Sequence, residues 1–230
     1  MDTTMSTALI LIATRPRYWK FAEDIIVSAK KFFIPHDVVL FTDKSEPFDV
    51  KFQFLHPPYG YPDATLLRYH AVMSQYDLLS QYDNIFYADS DMLFVNIVTE
   101  NDILSDGITA TQHPGYHVRN TCGTPETRPE STAYVPNLRT YFCGGFNGGK
   151  SNAYLKMAKT IRDGVDLDKS KGIIAIWHDE SHLNRYLYYN PPARILSPSY
   201  CYPEGYGGGY GWPADQYKPI LLALEKGGQR

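Results

Sequence analysis

The stretch Ile85-Phe86-Tyr87-Ala88-Asp89-Ser90-Asp91-Met92-Leu93-Phe94 constrains this chain more than any other. An apolar run of strand-forming residues leads into two carboxylates separated by one serine, and apolar residues resume at once. In an extended backbone, residues i and i+2 project to the same side, so Asp89 and Asp91 can converge on one cation. Hard divalent ions such as Mg²⁺ and Mn²⁺ take such oxygen ligands and keep positions open for substrate phosphates. Just past a buried strand, the pair suggests a metal–nucleotide site at the carboxyl edge of an α/β sheet. Asp-Ser-Asp is also ordinary turn chemistry. The apolar flanks favour the metal, because unpaired charge beside buried strands is costly.

Upstream, the apolar run Ala8–Ala13 predicts a buried parallel strand, ended by Thr14-Arg15-Pro16. Helical spacing of Phe21, Ile25, Ala29 and Phe33 predicts a helix over 19–33, and Val38–Phe41 a second strand. Strand–helix–strand implies a parallel crossover unit. Phe52–Leu55 is a third, short strand. From Thr65 to Tyr82 one stripe (Leu66, Tyr69, Val72, Tyr76, Leu79) predicts a second helix, with Asp63 as N-cap. Arg68 lies early in it, and on sequence alone is a solvated or salt-bridged arginine.

Beyond Phe94, a short helix is expected over 99–104 and a strand over 107–112, leading to His113-Pro114-Gly115-Tyr116. Residues 119–137 lack periodicity and form a long loop, a candidate lid or acceptor-binding segment. Tyr141–Gly149 sets aromatics among glycines, a mark of bulges or close backbone approach. An amphipathic helix over 151–165 follows, capped by Ser151 or Asn152. In Trp177-His178-Asp179-Glu180-Ser181-His182, capping chemistry starts a helix at Asp179 and leaves His178 outside. The two histidines are spaced i,i+4, but H-D-E-S-H is not the zinc motif H-E-x-x-H. The Gly/Tyr/Pro-rich tail over 201–212 is expected to fold over a site or onto the surface.

Composition excludes some classes. With 230 residues, 43% hydrophobic and 20% charged, the chain is a globular domain rather than a disordered one. A net charge of −3 supplies no basic field for nucleic acid. The 19 tyrosines, 11 phenylalanines and 3 tryptophans hint at sugar stacking, though aromatics also build cores. Cys122, Cys143 and Cys201 form no C-x-x-C pair, which argues against structural zinc or a disulfide framework and fits a reducing, cytoplasmic compartment. Ala8–Ala13 is too short for a signal core or membrane span, so a soluble chain is expected.

Four separated motifs fall in one known order: Phe86–Met92, His113–Tyr116, Gly144–Gly149, and Trp177–Asn184. Together they closely resemble the retaining glycosyltransferase family of the histo-blood-group A and B transferases and the α-1,3-galactosyltransferases. Leu196–Tyr200 and Gly211-Trp212-Pro213 continue the match. The resemblance implies a single GT-A domain over 1–230, a Rossmann-like mixed sheet flanked by helices. Its nucleotide-binding half would be 8–95, and its acceptor-binding half 96–230. It implies a UDP-sugar donor, a glycan acceptor and Mn²⁺, with Mg²⁺ a possible substitute.

Residue by residue, the resemblance assigns Asp89 and Asp91 to the metal and, with Ser90, to the nucleotide-sugar. Ala13 and Thr14, with Tyr18 beside them, would contact uridine. Arg68 would reach the donor's sugar and phosphates, and Asp179 the sugar. Gly144 and Gly145 fall where the donor's 2-substituent is sensed, and Cys143 beside them would contact the nucleotide-sugar. His113 and Trp177 would bind acceptor, Glu180 would be the central catalytic carboxylate, and Lys226 would fold over the diphosphate. The animal relatives' tail, membrane anchor and stem have no counterpart here, as in shorter bacterial-type members. The loop at Thr14–Arg17 carries an extra residue relative to the family.

The implied reaction is transfer of GalNAc or galactose to a sugar hydroxyl in an α-linkage, α-1,3 by resemblance, with retention. Two vacant side chains at Gly144 and Gly145 favour the larger N-acetyl group. A nucleotide-sugar hydrolase and a non-catalytic carbohydrate-binding protein are the competing functions.

Overall fold

The computed structural model describes residues 5–205 and 216–225. Lys226 and the segment Gly211-Trp212-Pro213 lie outside the described residues, as does most of the tail expected to cover a site. Strand β1 (Thr7–Ala13), helix α1 (Pro16–Phe32) and strand β2 (Asp37–Thr42) form the expected crossover unit, with β1 and β2 parallel. Pro16 presets φ in the first turn of α1, and Lys30 and Lys31 lie near the carbonyls of its last turn. Ala22, Ile25, Ile26 and Ala29 form its buried face.

Strand β3 (Phe52–Leu55) adds to β2 in parallel. The single helix expected over 65–82 is instead three short ones: α2 (Asp63–Leu66), α3 (Arg68–Ser74) and α4 (Tyr76–Leu79). The backbone leaves helical values at Leu67 (φ −98, ψ 13) and Gln75 (φ −117, ψ 33). The stripe is genuine, since Leu66, Tyr69, Val72 and Leu79 are buried. Apolar periodicity reports which side faces the core, whereas an unbroken hydrogen-bond ladder is a separate condition. Asp63 is not the N-cap: Pro62 holds that position and Asp63 opens the first turn.

The chain continues through β4 (Asn84–Ala88), β5 (Met92–Phe94), α5 (Glu100–Ile103), β6 (Ile108–Gln112), α6 (Pro114–Val118) and β7 (Phe142–Lys150). Then come α7 (Ser151–Ser170), α8 (His178–Tyr189), β8 (Arg194–Leu196), a 3₁₀ turn (Pro198–Cys201), β9 (Tyr202–Pro203) and β10 (Leu221–Ala223). Neither Ser151 nor Asn152 caps α7. Lys150 is its N-cap, and Ser151 N–H donates to the Asp83 carbonyl at 3.1 Å as β7 runs straight into the helix. Helix α8 starts one residue early, with His178 inside it at φ 51 and Trp177 as N-cap.

The main sheet has seven strands in the order β3-β2-β1-β4-β7-β6-β8. β4 runs parallel to β1, but β7 is antiparallel to both β4 and β6, so the sheet is mixed. Alternation along the strands divides the core. Ala8, Ile10 and Tyr87 face one layer with α3, α7 and α8, and Leu9, Leu11 and Phe86 face the other with α1. Gly148 lies opposite Phe86 on the neighbouring strand, where an added Cβ would come within 2.2 Å of the ring. A small second sheet, β5-β10-β9, brings the C-terminal segment against β5. Among the described residues no helix is long and apolar enough to cross a membrane.

Candidate active site

β1 and β4 are parallel and paired from Thr7↔Asn84 to Ile10↔Tyr87, so their carboxyl ends lie at one edge. Ala13 closes β1 there, buried, with Thr14 half-buried after it. Asp89, Ser90 and Asp91 follow β4 at the same edge. They occupy a turn rather than the extended backbone expected, since Met92 N–H donates back to the Asp89 carbonyl at 3.2 Å. The alternation rule therefore does not govern this pair. Asp89 is anchored across the sheet by its N–H to the Gly145 carbonyl at 2.8 Å. Its side chain is 35% exposed, while Asp91 is 7% exposed as a residue. The Asp91 carbonyl accepts from Leu224 N–H at 2.9 Å, so the C-terminal segment passes directly beside the aspartates.

Arg68 lies at the centre of this edge and is buried. Starting a new helix at the Leu67 break places its side chain in the interior. Its Nε meets Asp179 Oδ2 at 2.9 Å, its Nη2 meets Asp89 Oδ1 at 3.3 Å, and its Nη1 donates to the Gly144 carbonyl at 2.6 Å. The guanidinium also stacks over Tyr87, 4.5 Å from the ring centroid. Tyr87 Oη donates to Asp89 Oδ1 at 2.8 Å. Burial alone would lower the Arg68 pKa, but Asp179 and then Asp89 hold it firmly charged. Burial pushes the Asp179 carboxyl up to about 6 despite Arg68. At neutral pH both partners are therefore ionised.

Glu180, in the first turn of α8, is reached from the other side of the same glycine. Gly144 N–H donates to Glu180 Oε2 at 2.7 Å. Asn184, one turn further on, fastens α8 to β7: it accepts from Phe142 N–H at 2.8 Å and donates to the Phe142 and Glu180 carbonyls, each at 2.9 Å. Burial raises the Glu180 carboxyl to about 7, while the Gly144 N–H and the nearby Tyr141 hydroxyl pull it back. That hydroxyl has no aligned hydrogen-bond partner among the described residues. Nor has His113 Nδ1, although His113 packs 4.5 Å from Tyr116 and 5.7 Å from Tyr141 between ring centroids. Burial holds the His113 imidazole neutral, at about 4.

One network thus joins Asp89, Arg68, Asp179, Gly144 and Glu180, and His113 borders it through Tyr141. Trp177 sits at the entrance to α8, 44% exposed, adjoining that first turn. Cys143 and Cys201 are buried free thiols; the hydrogen bond between them, with burial added, pushes the Cys201 thiol well up. Tyr18 lies in the first turn of α1, edge-on to Phe21. His178 and His182 do not share a ligand position. His178 Nδ1 pairs with Thr65 Oγ1 at 3.1 Å, whereas His182 lies near Asp168 and Thr132.

Sequence reasoning gave no role to Tyr87, Tyr141 or Asn184. Tyr87 precedes Asp89 by two residues and Asn184 follows Glu180 by one helical turn, so spacing could have found both. Tyr141 had no such signal, because its approach to Glu180 is tertiary.

Residues 65–215 match the family model described as Glycosyltransferase family 6. The chain is 38% identical over 152 residues to Histo-blood group ABO system transferase 1 of Rattus norvegicus, covering 65% of this chain and 42% of the relative. It is 30% identical over 200 residues to O-antigen biosynthesis glycosyltransferase WbnI of Escherichia coli, covering 83% and 85%. Globoside alpha-1,3-N-acetylgalactosaminyltransferase 1 of Gallus gallus is 34% identical over 127 residues, covering 54% and 36%. The chain spans less than half the length of the rat transferases it matches.

Proposed function

The chain belongs to glycosyltransferase family 6, and from that premise we propose that it moves GalNAc from UDP-GalNAc to a sugar hydroxyl, forming an α-linkage with retention. An α-1,3 linkage is the specific expectation, and galactose the second donor. The observation that carries this reading is the bracket around Gly144. Its carbonyl binds the arginine that gathers Asp89 and Asp179, and its N–H binds Glu180. Donor-side and acceptor-side carboxylates are thereby tied to the two peptide groups of one residue.

The donor set suits a hard divalent cation such as Mn²⁺. It offers carboxylate oxygens, and both bonds to the Asp89 side chain among the described residues use Oδ1, leaving Oδ2. Asp89 and Asp91 would hold that cation, which when bound neutralises charge on the departing UDP. Arg68 adds a fixed positive charge in the same place, and its burial keeps the field strong. Asp179 keeps Arg68 oriented and is a candidate contact for the donor sugar. Glu180 contributes negative charge to the anomeric carbon, as a nucleophile or as an electrostatic partner of an oxocarbenium-like state. Both roles require it ionised.

His113 Nδ1, buried and without a hydrogen-bond partner among the described residues, and the Tyr141 hydroxyl near Glu180 are groups suited to the hydroxyls of an acceptor sugar. The exposed Trp177 ring, at the entrance to α8, offers a stacking face. Lys226 is assigned to the diphosphate by family resemblance. A UDP-release assay with UDP-GalNAc, run on the unaltered protein and on Glu180→Gln, tests the proposal. Release that Glu180→Gln leaves unchanged would refute it.

A further inference from the structure

Glu126 lies in the segment 119–137, where neighbouring Pro125 and Thr127 give no hint of burial, yet it is only 3% exposed. Its Oε1 accepts from Arg128 N–H at 3.0 Å and Arg128 Nε at 2.8 Å. Its Oε2 accepts from Arg128 Nη2 at 2.6 Å and from Ile176 N–H at 2.9 Å. Arg128 Nη2 also donates to the Ile174 carbonyl at 2.6 Å. Acid and base therefore grip the backbone of 174–176 at one N–H and one C=O. Arg128 holds the Glu126 carboxyl down at about 2, so the grip is ionised at every working pH.

What is gripped leads directly into the active site. Ile174, Ile176 and Trp177 are 46%, 46% and 44% exposed, so core packing restrains them little; only Ala175 between them is buried. The direction of Trp177 is set by backbone bonds instead. On the α8 side, Trp177 N–H donates to Ser181 Oγ at 2.9 Å and the Trp177 carbonyl accepts from Glu180 N–H at 3.0 Å; on the loop side, Ile176 N–H is held by Glu126. We propose that Glu126 is a positioning residue for acceptor binding: by holding Ile176, it sets the Trp177 ring beside Glu180. This rests on the reading of Trp177 as the ring on which the acceptor sugar stacks.

A purely architectural role for Glu126 makes a different prediction, and the same loop supplies the control. Asp168, 1% exposed, accepts from Ser131 Oγ at 2.5 Å and Thr132 N–H at 2.7 Å. Its side chain pins the loop and lies near His182. Loosening the loop through Asp168 therefore leaves the Glu126 grip in place. In Glu126→Gln, one carboxylate oxygen becomes an NH₂ that faces two donors, so two of the four bonds are lost and the remaining two lose their charge.

The test is fluorine NMR on protein labelled with 5-fluorotryptophan, together with separate kinetics for donor and acceptor. The three tryptophans give three resonances, and Trp177→Phe identifies one of them. Glu126→Gln should shift or broaden the Trp177 resonance and leave that of Trp19. It should raise acceptor KM about tenfold, with donor KM and donor hydrolysis within about twofold of the unaltered protein. Asp168→Asn should lower Tm yet leave the Trp177 resonance and acceptor KM in place. Arg128→Met, which releases the Ile174 carbonyl and leaves the Glu126 carboxylate without its cation, is the second variant and should move the Trp177 resonance the same way. A folded Glu126→Gln with an unmoved resonance and unchanged acceptor KM would overturn the proposal, as would Asp168→Asn producing the same changes. Unaltered protein that fails to turn over UDP-GalNAc would instead refute the proposed function, while the NMR comparison would still decide whether Glu126 sets Trp177.

Discussion

Gly144 and Glu180 are joined by a 2.7 Å hydrogen bond from backbone N–H to carboxylate, and the Gly144 carbonyl is bound at 2.6 Å by Arg68. A single residue of β7 thus spaces the candidate catalytic carboxylate from the buried Arg68. A Cβ at this position would lie 3.0 Å from Arg68 Nη1, close enough to displace the guanidinium by a few tenths of an ångström, and 3.4 Å from Glu180 Oε2, at contact distance.

Arg68→Met tests the electrostatic centre. It leaves buried Asp179, and half-screened Asp89, without their cation. Breaking such a buried pair costs on the order of 3 kcal/mol, which for a domain of this size lowers Tm by roughly 6–12 °C. The deficit should shrink in acid: without Arg68 the folded-state pKa of Asp179 rises further, and protonation then favours the folded state. Thermal melts at neutral and mildly acidic pH check this, and an unchanged Tm would contradict it.

Gly145→Ala tests donor choice. Its Cβ would approach Met92 Cε at 3.0 Å, Asp89 Oδ2 at 3.3 Å and Cys201 Sγ at 3.5 Å, crowding the carboxylate as well as the space beside it. Turnover should fall with both donors. The ratio of kcat/KM should move toward UDP-galactose by about tenfold, because the N-acetyl group needs the lost space. Equal losses for the two donors would show that Gly145 shapes the Asp89 site without sensing the sugar.

The pH profile tests Glu180. Burial places its carboxyl at about 7, so the ionised form is lost as pH falls through neutrality. Transfer at saturating substrates should drop about tenfold for each pH unit below that value. Stability should run the opposite way. The folded carboxyl binds its proton more tightly than its ordinary value of 4.5 allows, so this group favours folding more as pH falls between about 7 and 4.5. A transfer rate flat across this window would contradict the assignment.

Metal removal tests the Asp89–Asp91 turn. EDTA should abolish most transfer and added Mn²⁺ should restore it. Asp91→Asn should remove most activity, and Asp89→Asn as much or slightly less. Full turnover in EDTA would contradict the metal assignment.

Much of this was legible in the sequence because burial writes itself as pattern. The apolar run before Asp89 became β4, and Ala8–Ala13 became the interior of β1. The stripe on Leu66, Tyr69 and Val72 marked the buried side, but not the breaks at Leu67 and Gln75. Those breaks depend on backbone geometry that periodicity does not encode. The burial of Arg68 among carboxylates had no signal in spacing, since its partners come from the turn after β4, from β7 and from α8. Glu126 carried no signal at all: a carboxylate among prolines and threonines resembles any loop residue until Ile176 and Arg128 close around it.

The most direct test of the central claim is proton NMR of the reaction as it proceeds, with purified protein, UDP-GalNAc, diamagnetic Mg²⁺ and a panel of glycan acceptors. The account predicts release of UDP with a new α-anomeric signal as the first product, both absent with Glu180→Gln. A β-anomeric first product, or UDP-GalNAc unchanged in the presence of metal and acceptor, would contradict it.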